Sequence, residues 1–139
     1  MTTHSSNITL QEAADQPVVL VAEDDKSISY LLQFLLEREG YRVLLARDGR
    51  EAKRLVDEMA PPRLVILDIM MPYADGFEVL EHLRIKLEWR DTPVIMLTAG
   101  SQEKDVARAF EAGATDYVVK PFLPEELKVR IRRLTIQHP

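Results

Sequence analysis

The 139-residue chain contains no cysteine, which excludes disulfide scaffolds, cysteine-ligated zinc and thiol catalysis. No apolar run approaches the roughly 20 residues that a membrane-spanning helix needs. The opening residues, Met1-Thr2-Thr3-His4-Ser5-Ser6-Asn7, lack the basic start and apolar stretch of a signal peptide. Basic residues are outnumbered, 18 Lys plus Arg against 23 Asp plus Glu for a net charge of −5. That balance argues against a dedicated nucleic-acid-coating protein, although a local basic face is compatible with it. The three histidines, His4, His82 and His138, do not cluster in sequence, so neither a zinc site nor a histidine phosphodonor is expected. No low-complexity tract or interdomain linker interrupts the chain. What remains is 46% apolar sequence, enough for the core of one domain, and the expectation is a soluble cytoplasmic protein.

Residues 1–16 are polar, with Ile8 and Leu10 their only large apolar side chains, and read as a flexible N-terminal arm. From Val18 a regular alternation begins. Val18 to Ala22 is a short apolar run that suits a buried strand. Ile28, Leu31, Leu32, Leu35 and Leu36 then fall on one helix face, closed by Glu39-Gly40. Arg42 to Ala46 reads as a strand, and Asp48 caps a helix with Ala52, Leu55, Val56 and Met59 inward, ended by Pro61-Pro62. Leu64 to Leu67 is the third strand, followed by a helix over Phe77 to Leu87. Val94 to Leu97 precedes a helix over Ser101 to Ala112, stopped at Gly113. Tyr117 to Val119 and a last helix from Pro124, with Leu127, Ile131 and Leu134 inward, complete the series. Five apolar strands alternating with five helices predict a doubly wound α/β sandwich around a parallel sheet. Ligands of such sheets sit beyond the carboxyl ends of the strands.

Those ends carry residues that an apolar core would reject. Glu23-Asp24-Asp25 follows the first strand, Asp68 the third, Thr98 the fourth and Lys120 the fifth. Carboxylates brought so close raise one another's pKa unless a cation lies between them. An all-oxygen donor set favours a hard cation, Mg²⁺ before Ca²⁺. A lysine beside a metal-binding carboxylate is sensible where an anion is held, and a phosphoryl group fits, its oxygens shared by the cation, the lysine and a threonine hydroxyl. A carboxylate is also able to act as the nucleophile, forming an acyl phosphate.

These residues resemble the receiver domain of two-component response regulators. The likeness covers about residues 17–136, leaving 137–139 as a short tail. It rests on Val19-Leu20-Val21-Ala22-Glu23-Asp24-Asp25, on Leu67-Asp68-Ile69-Met70-Met71-Pro72 with Asp75-Gly76, on Leu97-Thr98-Ala99, and on Gly113 to Phe122 with Lys120-Pro121. Asp24, Asp68, Thr98 and Lys120 follow at intervals of 44, 30 and 22 residues, close to the family's own. The resemblance implies a flavodoxin-like five-stranded sheet in the order 2-1-3-4-5. It also implies phosphorylation of Asp68 by a histidine kinase or histidine phosphotransfer protein. Mg²⁺ would be held by Asp24, by Asp68, by Glu23 acting through water, and by the Met70 backbone carbonyl. Thr98 and Lys120 would bind phosphoryl oxygens, the Lys120–Pro121 bond being cis as is usual there. Thr98 and Tyr117 would couple the phosphoryl group to the surface of the fourth helix, fifth strand and fifth helix. Such a domain catalyses the phosphorylation and dephosphorylation of its own aspartate rather than turning over a substrate. It passes the signal to a downstream target or output domain, with no nucleic-acid binding or membrane insertion of its own.

Each residue also has a plainer role open to it. Asp68 suits a turn, Thr98 a strand end, Tyr117 a half-buried strand and Lys120 a solvated surface. Asp25 is expected to be the helix cap, and Lys128, Arg130, Arg132 and Arg133 complement the last helix's dipole. Two departures from the family stand out. Met70 and Gly100 stand where dephosphorylation is usually tuned and neither side chain orients water, so a long-lived phosphoaspartate is expected. Asp116, Glu126 and Arg130 match charged contacts of receivers that dimerise through the fourth and fifth helices. Val106, however, replaces the usual basic partner of Glu126, which leaves a homodimer open. Two alternatives from other classes are an aspartyl-phosphate hydrolase, which usually needs a second acid where Met70 stands, and a flavodoxin-like binding module. The latter usually has a Ser-, Thr- and Gly-rich loop in place of Glu23-Asp24-Asp25.

Overall fold

Alternate residues of each strand face opposite ways, so a sheet buried on both sides sorts its apolar side chains into two cores. The computed structural model, which describes residues 16–100 and 103–136, shows this sorting directly. Val19, Val21, Leu64, Ile66, Ile95 and Leu97 pack with Leu32, Leu35, Leu36, Leu127 and Ile131. Leu20, Ala22, Val65, Leu67, Val94 and Met96 pack on the other side with Ala52, Val56, Phe77, Leu80, Leu83 and Ala109.

The elements are β1 (Val18–Ala22), α1 (Lys26–Arg38), β2 (Arg42–Ala46), α2 (Gly49–Glu58), β3 (Leu64–Asp68), α3 (Gly76–Arg84), β4 (Val94–Thr98), α4 (Glu103–Glu111), β5 (Asp116–Val119) and α5 (Pro124–Thr135). A short 3₁₀ turn, Leu87–Trp89, lies between α3 and β4. All strand pairs are parallel, in the order β2-β1-β3-β4-β5. The two cores thus set α1 and α5 against one face and α2, α3 and α4 against the other.

Helix starts follow the sequence closely. Asp25 accepts the Ile28 N–H at 3.0 Å, Asp48 accepts that of Glu51 at 2.8 Å, and Asp75 forms a reciprocal capping box with Glu78, each satisfying donors that a helix leaves free. Gly40 closes α1 at φ +95°.

β3, β4 and β5 are each one residue longer than expected, and three helices differ more. α3 begins at Gly76 and stops at Arg84 rather than running from Phe77 to Leu87. The Arg84 guanidinium donates to the carbonyls of Trp89, Thr92 and Gly113, and the chain folds around it. Ile85 and Leu87, whose apolar character extended the helical pattern, are 80% and 75% exposed, while Trp89 is buried. α2 ends at Glu58, before the proline pair, because Met59 is already extended. For the fourth helix, Ser101 lies outside the described residues, and the helix ends at Glu111, one residue short of Ala112. Residues 1–15 of the arm, the 137–139 tail, His4 and His138 also lie outside the described residues. Among the described residues no helix is long and apolar enough to cross a membrane.

Candidate functional site

Parallel register brings the strand ends together. Ala22 pairs with Leu67, Asp68 with Leu97, and Thr98 with Val119, so the residues at and just after these positions share one edge. Glu23 is 1% exposed, Asp68 4% and Thr98 6%, whereas Asp24 is exposed. Carboxylate oxygens of Glu23, Asp24 and Asp68 all lie within 4.8 Å of one another. Lys120 reaches between two of them, its Nζ 3.0 Å from Glu23 Oε1 and 3.1 Å from Asp68 Oδ1. The Lys120–Pro121 peptide is cis.

Three acids against one ammonium leave the pocket short of positive charge. Burial is the main cause that pushes the Glu23 carboxyl up to about 7, against a smaller lowering by Lys120. Burial likewise raises Asp68, again opposed by Lys120. For Lys120 burial acts downward, but the carboxylates of Glu23 and Asp68 outweigh it and its pKa is raised. Glu23 Oε2 accepts the Asp25 N–H at 3.1 Å, but Oε1 is buried with no aligned hydrogen-bond donor. Lys120 therefore meets it as an ion pair rather than as a directed hydrogen bond. A buried carboxylate oxygen that meets Lys120 as an ion pair but has no aligned donor, within a set of hard oxygen donors, fits a divalent cation, directly or through its water.

Beyond the acids, the Gly100 backbone links two further residues. Its N–H donates to Thr98 Oγ1 at 3.1 Å, and its carbonyl accepts the Tyr117 hydroxyl at 2.7 Å. Sequence reasoning named Thr98 and Tyr117 but missed that bridge, since a backbone acceptor leaves no trace in residue type. Met70 is 72% exposed on the loop after β3. On the last strand and helix, Asp116 accepts from Arg130 Nη1 through both oxygens at 2.9 Å, and Arg133 approaches it at 3.6 Å. Glu126 lies 3.7 Å from Arg130. These three residues, which match charged contacts of dimerising receivers, are paired within the chain. His82 is held by Asp57 at 2.8 Å, away from the acids.

A cavity of about 200 Å³ adjoins the acid cluster, lined by Glu23, Asp24, Lys26, Ser29, Gln33 and Arg47 among others. A larger hollow of about 350 Å³ lies at the opposite, amino-terminal edge of the sheet, between Arg42, Met59, Pro61, Pro62 and Arg63. It contains none of the acids, and the chemistry of the donor set, rather than size, locates the site.

Comparisons with known proteins bear on the family and the fold. The sequence model described as "Response regulator receiver domain" matches residues 19–132. The alkaline phosphatase synthesis transcriptional regulatory protein PhoP of Bacillus subtilis is 44% identical over 117 residues, 84% of this chain and 47% of that protein. The chain therefore spans about half the length of the curated relatives it matches. Among solved structures, the Vibrio cholerae chemotaxis protein CheY4 is similar at a TM-score of 0.79 and 33% identity, covering 86% of this chain and 98% of that one. The receiver domain of sensor histidine kinase PA1611 from Pseudomonas aeruginosa, described with a magnesium ion in its active-site cleft, has a TM-score of 0.78 at 29% identity, over 86% and 98% of the two chains.

Proposed function

The chain belongs to the response regulator receiver domain family of two-component systems, and on that premise we propose that it accepts a phosphoryl group from a partner's phosphohistidine onto Asp68. The observation that carries this reading is the buried Asp68 carboxylate at the end of β3, 3.1 Å from Lys120 Nζ and grouped with two further acids. An Asp68 oxygen would attack phosphorus, the phosphorus–nitrogen bond would break, and the histidine imidazole would leave with the electron pair. Lys120 would hold one transferred oxygen and Thr98, on turning from Gly100, another. Glu23, Asp24, Asp68 and the Met70 carbonyl would hold Mg²⁺, which when bound supplies positive charge against the phosphoryl oxygens.

Release of the Gly100 N–H by Thr98 would free one side of the residue whose carbonyl also holds Tyr117, linking the chemistry to α4, β5 and α5. That face exposes Phe110, Val119 and Val129, and we assign it to output, through a downstream target, a further domain or a second copy of the chain. The Bacillus relative is a transcriptional regulator, and transcriptional output is the corresponding proposal here. The decisive experiment is labelling by a small acyl phosphate in Mg²⁺. Wild-type protein should gain an acid-stable, base-labile phosphoryl group and Asp68→Asn should not; labelling that survives the substitution would overturn the assignment.

A further inference from the structure

The loop between β3 and α3 combines an unfavourable backbone with a contact from a helix that supplies none of the site's acids. It runs from Ile69 to Asp75 and carries Met70. Gly76 N–H closes its base on the Ile69 carbonyl at 2.8 Å, and Ala74 N–H turns its tip on the Pro72 carbonyl at 2.9 Å. Between them Tyr73 takes φ +73°, a left-handed conformation that costs a bulky residue about 1–3 kcal/mol. Burial does not offset that cost, because Tyr73 is 72% exposed.

The restraint comes from the first turn of α2. The Arg50 guanidinium lies 3.8 Å from the Tyr73 ring centroid, and Arg50 has no ion-pair partner among the described residues. Next to it the Gly49 N–H donates to the Pro72 carbonyl at 3.2 Å. A Cβ on Gly49 would lie 1.8 Å from the Ala74 carbonyl oxygen, which shows how closely helix and loop approach. Two consecutive helix residues thus grip Pro72, Tyr73 and Ala74.

We propose that the Arg50–Tyr73 stack is a positioning device for the cation site, holding the loop, and with it the Met70 backbone, in the arrangement that receives the divalent ion. This rests on the proposed Mg²⁺ site and adds to it two residues that are not ligands. Tyr73 pays for its conformation through the stack, and Arg50, without an ion-pair partner among the described residues, is available to the ring. If the stack were only a surface contact, removing it would leave cation affinity unchanged.

The test uses the full chain, with Mg²⁺ affinity from isothermal titration calorimetry and amide hydrogen exchange of Ala74 and Gly76 in metal-free protein. Arg50→Ala removes the cation. Tyr73→Asn removes the ring while keeping a residue that tolerates the left-handed region. Each should weaken Mg²⁺ binding about two- to fivefold, the equivalent of an exposed cation–π contact at 1.4 kcal/mol per tenfold, and should speed exchange at both amides. The double variant should be no weaker than the weaker single one, and Tyr73→Phe should bind as wild type. Unchanged affinity in both single variants, or losses that add in the double, would overturn the proposal. Wild-type protein that takes up no Mg²⁺, or Asp68→Asn binding it as tightly as wild type, would instead overturn the metal reading; the metal-free exchange rates then still decide whether the stack holds the loop.

Discussion

Replacing Glu23 with glutamine should make the metal-free protein more stable at pH 8. The Glu23 side chain is fully buried, and its carboxyl is pushed from 4.5 to about 7, chiefly by burial. Holding it ionised therefore costs about 3 kcal/mol at 1.4 kcal/mol per tenfold change. The sign follows from proton binding. Between pH 4.5 and about 7 the folded protein retains a proton that the unfolded chain has released, so stability falls as pH rises through that window. Glutamine keeps the shape and removes the fall. Lys120 loses its 3.0 Å partner in exchange, which brings the expected gain to about 1–3 kcal/mol at pH 8, or about 4 °C in Tm per kcal/mol. Below pH 5 the gain should nearly vanish. Urea unfolding followed by circular dichroism, at pH 5 and pH 8 in chelator, measures both values. A variant whose advantage fails to grow between the two would refute the electrostatic account. Adding Mg²⁺ should then narrow the gap, because a ligand that binds the folded wild type a hundredfold above its Kd stabilises it by about 2.7 kcal/mol.

Three further outcomes follow from geometry described above. Gly49→Ala places a methyl against the Ala74 carbonyl and should cost about 2 kcal/mol in urea unfolding; an unaltered midpoint would disprove the close approach. Arg84→Met strands the carbonyls of Trp89, Thr92 and Gly113 and should cost about 3 kcal/mol by the same assay, whereas a loss under 1 kcal/mol would show that water replaces the guanidinium freely. Phosphorylated protein, once freed of donor, should decay slowly because neither Met70 nor Gly100 is able to aim a water, and complete loss within seconds would contradict that reading.

The sequence made the parallel sandwich legible because strands buried on both faces are short apolar runs, and Val18 to Ala22 or Leu64 to Leu67 resemble little else. Polar residues directly after such runs mark one edge of the sheet, which is why the sequence alone groups Glu23, Asp24, Asp68, Thr98 and Lys120. What escaped was backbone chemistry and side-chain reach. Arg84 ends α3 by binding carbonyls, and a pattern of apolar residues extends the helix through Ile85 and Leu87 regardless. The backbone of Gly100, joining Thr98 to Tyr117, has no identifying residue type. Tyr73 carries no signal for a left-handed backbone, since glycine or asparagine usually announces one. Asp116 and Arg130 were recognised as charged partners, but their pairing within one chain depends on how α5 lies along β5.

The single tryptophan of the sequence gives the buried Trp89 a practical meaning. It precedes β4 at the amino-terminal edge of the sheet, one strand length, roughly 16 Å, from the acids. Its emission will therefore report loss of tertiary structure cleanly and respond only weakly to a cation or phosphoryl group at the far edge. Fluorescence thus becomes a built-in control, reading the integrity of every variant named above without being confounded by occupancy of the pocket.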